Sequence, residues 1–176
     1  MGPVIFSRLS MFPAVLFLIV MVGCSNAEES APMETNMVFY LQDWVTGPNV
    51  TAVPVAGLKN STVLGFGTIT VIDDAVTEGI ERNSTQVGRA QGIYVNSALD
   101  GSDLHLAFSI VFTNEKYNGS TLEIQGADRW PLTQREVSVV SGTGMFRFVR
   151  GYAVLETAYF SGFNAVIKWN VTLRHY

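Results

Sequence analysis

Period-two alternation of apolar residues, turn residues at even spacing and a near absence of helical periodicity predict an all-β fold. The alternating runs number eight, and no strand–helix–strand pattern separates them. Eight antiparallel strands in about 140 residues suit a closed up-and-down barrel, which abolishes sheet edges and encloses room for one small ligand. A β-sandwich is the alternative that the same pattern allows.

The barrel is not expected to begin at residue 1. Arg8 precedes an apolar run over 11–23, and Ser25-Asn26-Ala27 supplies small residues behind it. The run is too short and too early to span a membrane, and it has the form of a secretory signal peptide covering 1–27. The rival reading is a lipoprotein box ending at Cys24, in which Met21 is a poor residue. Cleavage after Ala27 removes Cys24, the single cysteine, so the sheet must hold without disulfides. Residues 28–36 are polar and read as a flexible segment, leaving 37–176 as one domain.

Each strand has its own signal. Residues 37–45 place Met37, Phe39, Leu41, Asp43 and Val45 on one face. The runs 65–72 and 87–97 follow, and in the second Arg89 alternates with Val87, Gln91, Ile93 and Val95. Residues 104–113 present a wholly apolar side through Leu104, Leu106, Phe108, Ile110 and Phe112. The Asn118-Gly119 pair favours a hairpin, because both residues accept positive φ at little cost, and 121–125 returns as its partner. Runs 135–141 and 145–157 flank Gly142-Thr143-Gly144, read as a second tight turn. The last run, 164–176, sets Ala165, Ile167, Trp169, Val171 and Leu173 against Lys168, Asn170, Thr172 and Arg174.

Charge and composition exclude several functions. The chain has 11 basic and 15 acidic residues and a net charge of −4, with no basic patch to meet nucleic acid. No second apolar run long enough for a membrane helix occurs. Five sequons, at Asn49, Asn60, Asn83, Asn118 and Asn170, fit an exported glycoprotein. His105 and His175 lie in different strands without metal-ligand spacing, and no nucleophile elbow is present. Asp73-Asp74 with Glu78 and Glu81 match no calcium loop and read as a solvated acidic loop. No metal or cofactor is expected.

What remains is a set of charges beside apolar strands: Asp43, Arg89, Asp128 and Arg135. If the apolar faces point inward, these line a pocket in which burial raises carboxyl pKa values and a guanidinium lowers them. A carboxyl kept partly protonated can donate to an electron-rich oxygen. The same four residues can equally be two buried ion pairs that pin strand register.

Several segments resemble the plant dirigent family. They are Val38-Phe39-Tyr40-Leu41-Gln42-Asp43, Gly65-Phe66-Gly67-Thr68 through Ile72-Asp73-Asp74, and Glu78-Gly79. Val87-Gly88-Arg89-Ala90-Gln91-Gly92-Ile93-Tyr94 is the most specific. Tyr117-Asn118-Gly119-Ser120-Thr121-Leu122, Gly126-Ala127-Asp128, Arg135-Glu136 and Val140 to Tyr152 follow in order. The resemblance implies a secreted, apoplastic protein with a dirigent or allene-oxide-cyclase-like barrel, assembled as a dimer or trimer. It implies a small phenolic substrate and a separate oxidase, such as a laccase, that makes phenoxy radicals from a phenylpropanoid such as coniferyl alcohol. The family member guides their coupling without oxidase activity of its own, and acidic residues protonate the resulting quinone methide. By motif, Asp43 and Asp128 would be the acids, Arg135 would stabilise the developing phenolate, and Arg89 and Tyr94 would line the pocket. Gln42 stands where lignan-forming members commonly have His, and the terminal cysteines of many members are missing. Both departures point outside the lignan branch, so two alternatives stand beside coupling. One is a pterocarpan-synthase-like cyclase that dehydrates an isoflavanol; the other is a cell-wall or defence protein that binds phenolics.

Overall fold

A computed structural model of the chain describes residues 33–58 and 62–175, together with Gly2. The expected signal peptide, Cys24 and the Asn60 sequon lie outside the described residues. The chain divides into Met1–Ala31 and Pro32–Tyr176, and every described strand belongs to the second unit.

Nine antiparallel strands form one sheet: β1 (Met33–Asp43), β2 (Ala52–Ala56), β3 (Ile69–Thr77), β4 (Gln86–Asn96), β5 (Leu104–Phe112), β6 (Thr121–Asp128), β7 (Arg135–Thr143), β8 (Arg150–Ser161) and β9 (Asn164–His175). Strands β3 to β9 pair in sequence order, β9 pairs with β1, and β1 returns to β3. That last pairing closes an eight-stranded antiparallel barrel, as the alternation predicts. The strand missed by sequence is β2, which pairs with the first half of β3 beyond the closure. Its five residues are mostly exposed, so no apolar face marks it.

Three further expectations need correction. Residues 33–36, read as flexible, are strand, because Met33 to Asn36 pair with His175 to Thr172 of β9. The predicted strand over 65–72 instead runs from Ile69 to Thr77, so Asp73 and Asp74 belong to β3 and not to a solvated loop. Gly142-Thr143-Gly144 is not a tight hairpin turn: β7 continues to Thr143, and a single 3-10 turn, Gly144–Phe146, leads into β8. Gly144 has φ of 60°, and a Cβ there would approach Ser120 Oγ to 2.6 Å, so the turn requires glycine.

One end of the barrel is solid and the other is hollow. Phe39, Phe112, Phe146 and Tyr117 pack as an aromatic plug, with centroids 6.5 Å apart for Phe39–Phe112 and 5.4 Å for Phe112–Phe146. Trp169 stacks on Phe39 at 6.1 Å and meets Phe108 edge-on at 5.8 Å. The solid end leaves the opposite end, where Asp43, Leu104, Asp128, Arg135 and Ala165 sit, as the open one. Phe146→Ala should remove the plug's centre and cost about 3–5 kcal/mol. Urea unfolding measures it, and a loss below about 1 kcal/mol would show that the 3-10 turn does not anchor the plug.

Candidate active site

A cavity of about 420 Å³ occupies the hollow end of the barrel. Its walls are apolar, from Leu41, Ile72, Leu106, Phe108, Leu155 and Ile167, and Trp169 is also in its lining. Three connecting segments surround the mouth. They contribute Val63 and Leu64, then Trp130 to Thr133, and Phe163 with Phe160 at the end of β8. Trp130 is fixed by its Nε1 donating to the Gly101 carbonyl at 2.9 Å and by stacking on Phe160 at 6.1 Å.

Polar groups enter this apolar space at two places. On β6 and β7, the buried Arg135 donates from Nε to Asp128 Oδ1 at 2.6 Å. Burial pushes the Asp128 carboxyl above its usual range, and Arg135 opposes that shift. Arg135 Nη1 is buried without a partner, a donor left for a ligand. On β1, Asp43 follows Phe39 and Leu41 on the inner face and lines the cavity. Burial, aided by the Asp128 charge, raises its pKa to about 7, while an interaction with the Tyr94 hydroxyl opposes this. Burial also pushes the Tyr94 phenol upward, so it stays neutral. In the order of strands β1 and β7 are separated by β9 and β8, so the two polar places face each other across the cavity.

Four of the five predicted pocket residues therefore converge: Asp43, Tyr94, Asp128 and Arg135 all line the cavity. Arg89 does not. Its Nε donates to Asp73 Oδ1 at 2.5 Å, and Gln91 donates to the same oxygen at 3.0 Å, all on the outer face of the barrel. The Asp73 carboxyl is held below its usual range by that guanidinium. Alternation counted from Val87 misplaced Arg89 because the register shifts at Val76/Thr77, where Thr77 pairs with Gln86 and Val76 with Gly88. Past this bulge the inward set is Gly88, Ala90 and Tyr94. A Cβ at Gly92 would come within 2.7 Å of the Phe108 backbone, so close packing of β4 on β5 needs glycine there.

Sequence reasoning missed Asp74. It is 1% exposed, lines the cavity, and burial pushes its carboxyl well above the usual range, with Asp43 adding to the effect. The signal was present as Ile72-x-Asp74-x-Val76 on one face, had the strand been continued past Ile72. Among the described residues no cluster of three or more His, Cys, Asp or Glu side chains is placed to hold a metal ion. No helix among them is long and apolar enough to cross a membrane. The sequon residues Asn49, Asn83 and Asn118 are exposed, whereas Asn170 is half-buried on β9.

A family model described as dirigent-like protein matches residues 34–174. The chain belongs to the dirigent family. It is 40% identical over 143 residues to dirigent protein 1 of Arabidopsis thaliana, covering 80% of this chain and 79% of that one. It is 36% identical over 147 residues to pterocarpan synthase 1 of Glycine max, covering 81% and 79%. A solved pterocarpan synthase dirigent protein superposes with a TM-score of 0.78 at 34% identity, covering 82% and 86%.

The raised Asp43 pKa has a consequence for stability. A carboxyl whose folded pKa of about 7 exceeds its ordinary 3.8 favours the folded state when protonated. Stability should fall as pH rises from about 4 to 7 and level off above, by up to about 4 kcal/mol from this group. Asp43→Asn should reduce that fall in unfolding measurements across the range, the remainder coming from the raised Asp74 and Asp128 carboxyls, and identical slopes in both proteins would contradict the burial argument.

Proposed function

We propose that this dirigent protein binds a phenolic in the cavity and imposes stereochemistry on the closure of its quinone methide. In this reading a separate oxidase, such as a laccase, makes phenoxy radicals from a phenylpropanoid of the coniferyl alcohol type. Two radicals couple inside the barrel, and the apolar walls limit the faces they can present to each other. The protonated Asp43 carboxyl donates to the quinone methide oxygen. An internal hydroxyl of the ligand adds to the benzylic carbon, and its proton leaves to a carboxylate such as Asp128. Arg135 offers Nη1 to a phenolic oxygen and stabilises charge that develops there. The leader-like run at 11–23 supports export to the apoplast. The outward apolar residues Val53, Val55, Val71 and Ile93 support a homo-oligomer.

One observation carries the reading: an apolar cavity holds a carboxyl that burial keeps partly protonated near neutral pH and, on the opposite wall, an unpartnered guanidinium donor.

A second reading is favoured by the similarity to the pterocarpan synthases. In it the barrel makes the quinone methide itself from an isoflavanol. The acid protonates the leaving hydroxyl, which departs as water, while a carboxylate takes the phenol proton; the second phenolic hydroxyl then closes the ring. The two readings separate on the oxidant. Incubation with an oxidase and coniferyl alcohol, read by chiral chromatography, should give optically active product. A racemic product there, with turnover of an isoflavanol in the absence of oxidant, would sink coupling and establish dehydration.

Two substitutions test the assignments in whichever assay is active. Asp128→Asn keeps the shape of the side chain and should lower product formation by about 100-fold or more. Arg135→Leu should bring the enantiomeric excess close to zero; an unchanged excess would remove Arg135 from the site.

A further inference from the structure

Asp74 is the one buried carboxyl of the cavity to which the mechanism above gives no task. Continuing the pairs Leu41↔Val76 and Gln42↔Ala75 by one residue sets Asp43 directly opposite Asp74 across the β1–β3 seam. Both side chains point inward, as Leu41 and Ile72 do beside them, and both line the cavity. Directly opposed residues of an antiparallel pair have Cβ atoms about 5 Å apart, so like charges there repel strongly. Neither oxygen of Asp74 has a hydrogen-bond partner, and Oδ1 of Asp43 has none. The Thr51 hydroxyl lies beside Asp74, but it donates to the Gln42 carbonyl at 3.3 Å.

Among the described residues no cation forms an ion pair with either carboxyl, although the charge of Arg89 reaches Asp74 from the outer face and opposes the rise of its pKa. Arg89 is outside the barrel on Asp73, and Arg135 is engaged with Asp128 on the far wall. The other titratable groups that act on it are the Tyr94 phenol from β4, Asp128 from β6 and, from the outer face of β3, Asp73, whose charge adds to the rise at Asp74. From β9 the lining residues are Ala165, Ile167 and Trp169, none of which titrates. Two carboxylates cannot both be ionised in such surroundings. One proton between them resolves the conflict, because a carboxylic acid supplies the O–H that a neighbouring carboxylate accepts.

We infer that Asp43 and Asp74 work as a single cross-strand carboxyl pair that holds one proton, with Asp43 presenting it to the ligand and Asp74 serving as the positioning residue that keeps it there. This rests on the proposed proton donation by Asp43 and adds a second residue to it. The neutral acid thus owes its existence to a neighbour on another strand as well as to burial. Replacing Asp74 by a neutral isostere removes the repulsion that retains the proton, so Asp43 should ionise at lower pH.

The test is the pH profile of Asp74→Asn in the assay that proves active. Its alkaline limb should move down by about one pH unit or more relative to the unmodified protein. A folded Asp74→Asn protein with an unmoved limb overturns the pairing. A second measurement is independent of activity and of that variant's folding. Carboxyl carbons of aspartate-labelled, unmodified protein should show Asp43 and Asp74 titrating together in two well-separated steps. Asp43→Asn should collapse these into one. Separate single-step titrations of the two residues would overturn the pair even if the protein proved inactive on every phenolic; an inactive protein with two coupled steps would instead refute the functional reading alone.

Discussion

Three residue pairs between β1 and β3 turn a curved sheet into a barrel: Tyr40↔Thr77, Leu41↔Val76 and Gln42↔Ala75. Every other neighbouring pair of strands among β3 to β9 shares at least five such pairs, so closure hangs on the shortest seam. Gln42 fastens it from outside. The side chain is 1% exposed, and its Nε2 donates to Thr77 Oγ1 and to the Ile80 carbonyl, both at 3.1 Å. Without this seam there would be no enclosed cavity, no barrier to water and no reason for Asp43 to hold its proton above the usual carboxylate range. The seam also brings the Asp43 and Asp74 carboxyls together. Stability and chemistry therefore depend on the same few backbone pairs.

The interior divides the work along the barrel axis. The aromatic plug of Phe39, Phe112, Phe146 and Tyr117 supplies burial at one end, which allows the other end to stay hollow without collapse. Inside the hollow, the two polar places are treated differently. Asp128 keeps a guanidinium partner, which opposes the effect of its burial, whereas Asp43 and Asp74 have no ion-pair partner and rise further, with Arg89 opposing the shift at Asp74 only from outside the barrel. Carboxyls of one chemical type thus acquire different proton affinities from their surroundings alone. This contrast is what a site needs if one group is to give a proton and another is to receive one.

Most of the barrel is legible in the sequence because a half-buried strand writes its orientation into alternate residues. Leu104 to Phe112 shows the pattern without interruption, and from Ile167 to Leu173 the inward residues alternate with polar ones as read. Where the pattern breaks, the reading fails for identifiable reasons. The bulge before Gly88 reverses parity along β4 and moves Arg89 from the expected interior to the outer surface. Consecutive aspartates looked like a solvated loop because Asp73 is outward and Asp74 inward, and acidic residues within a strand run against composition. The short β2 has almost no buried side chain to announce it.

The sequence by itself determined the fold class, the inward apolar faces and the presence of Asp43, Asp128 and Arg135 at strand positions near the cavity. Local alternation is enough for that, since it needs only the chain's own periodicity. Only the tertiary structure decided that Arg89 is excluded, that Asp74 joins the site and that the two polar places face each other. Those facts follow from cross-strand register and from closure, which link residues about thirty positions apart in β1 and β3 and nearly one hundred apart in β1 and β7. Parity within one strand cannot specify its neighbour's register, and a single bulge is sufficient to invert it.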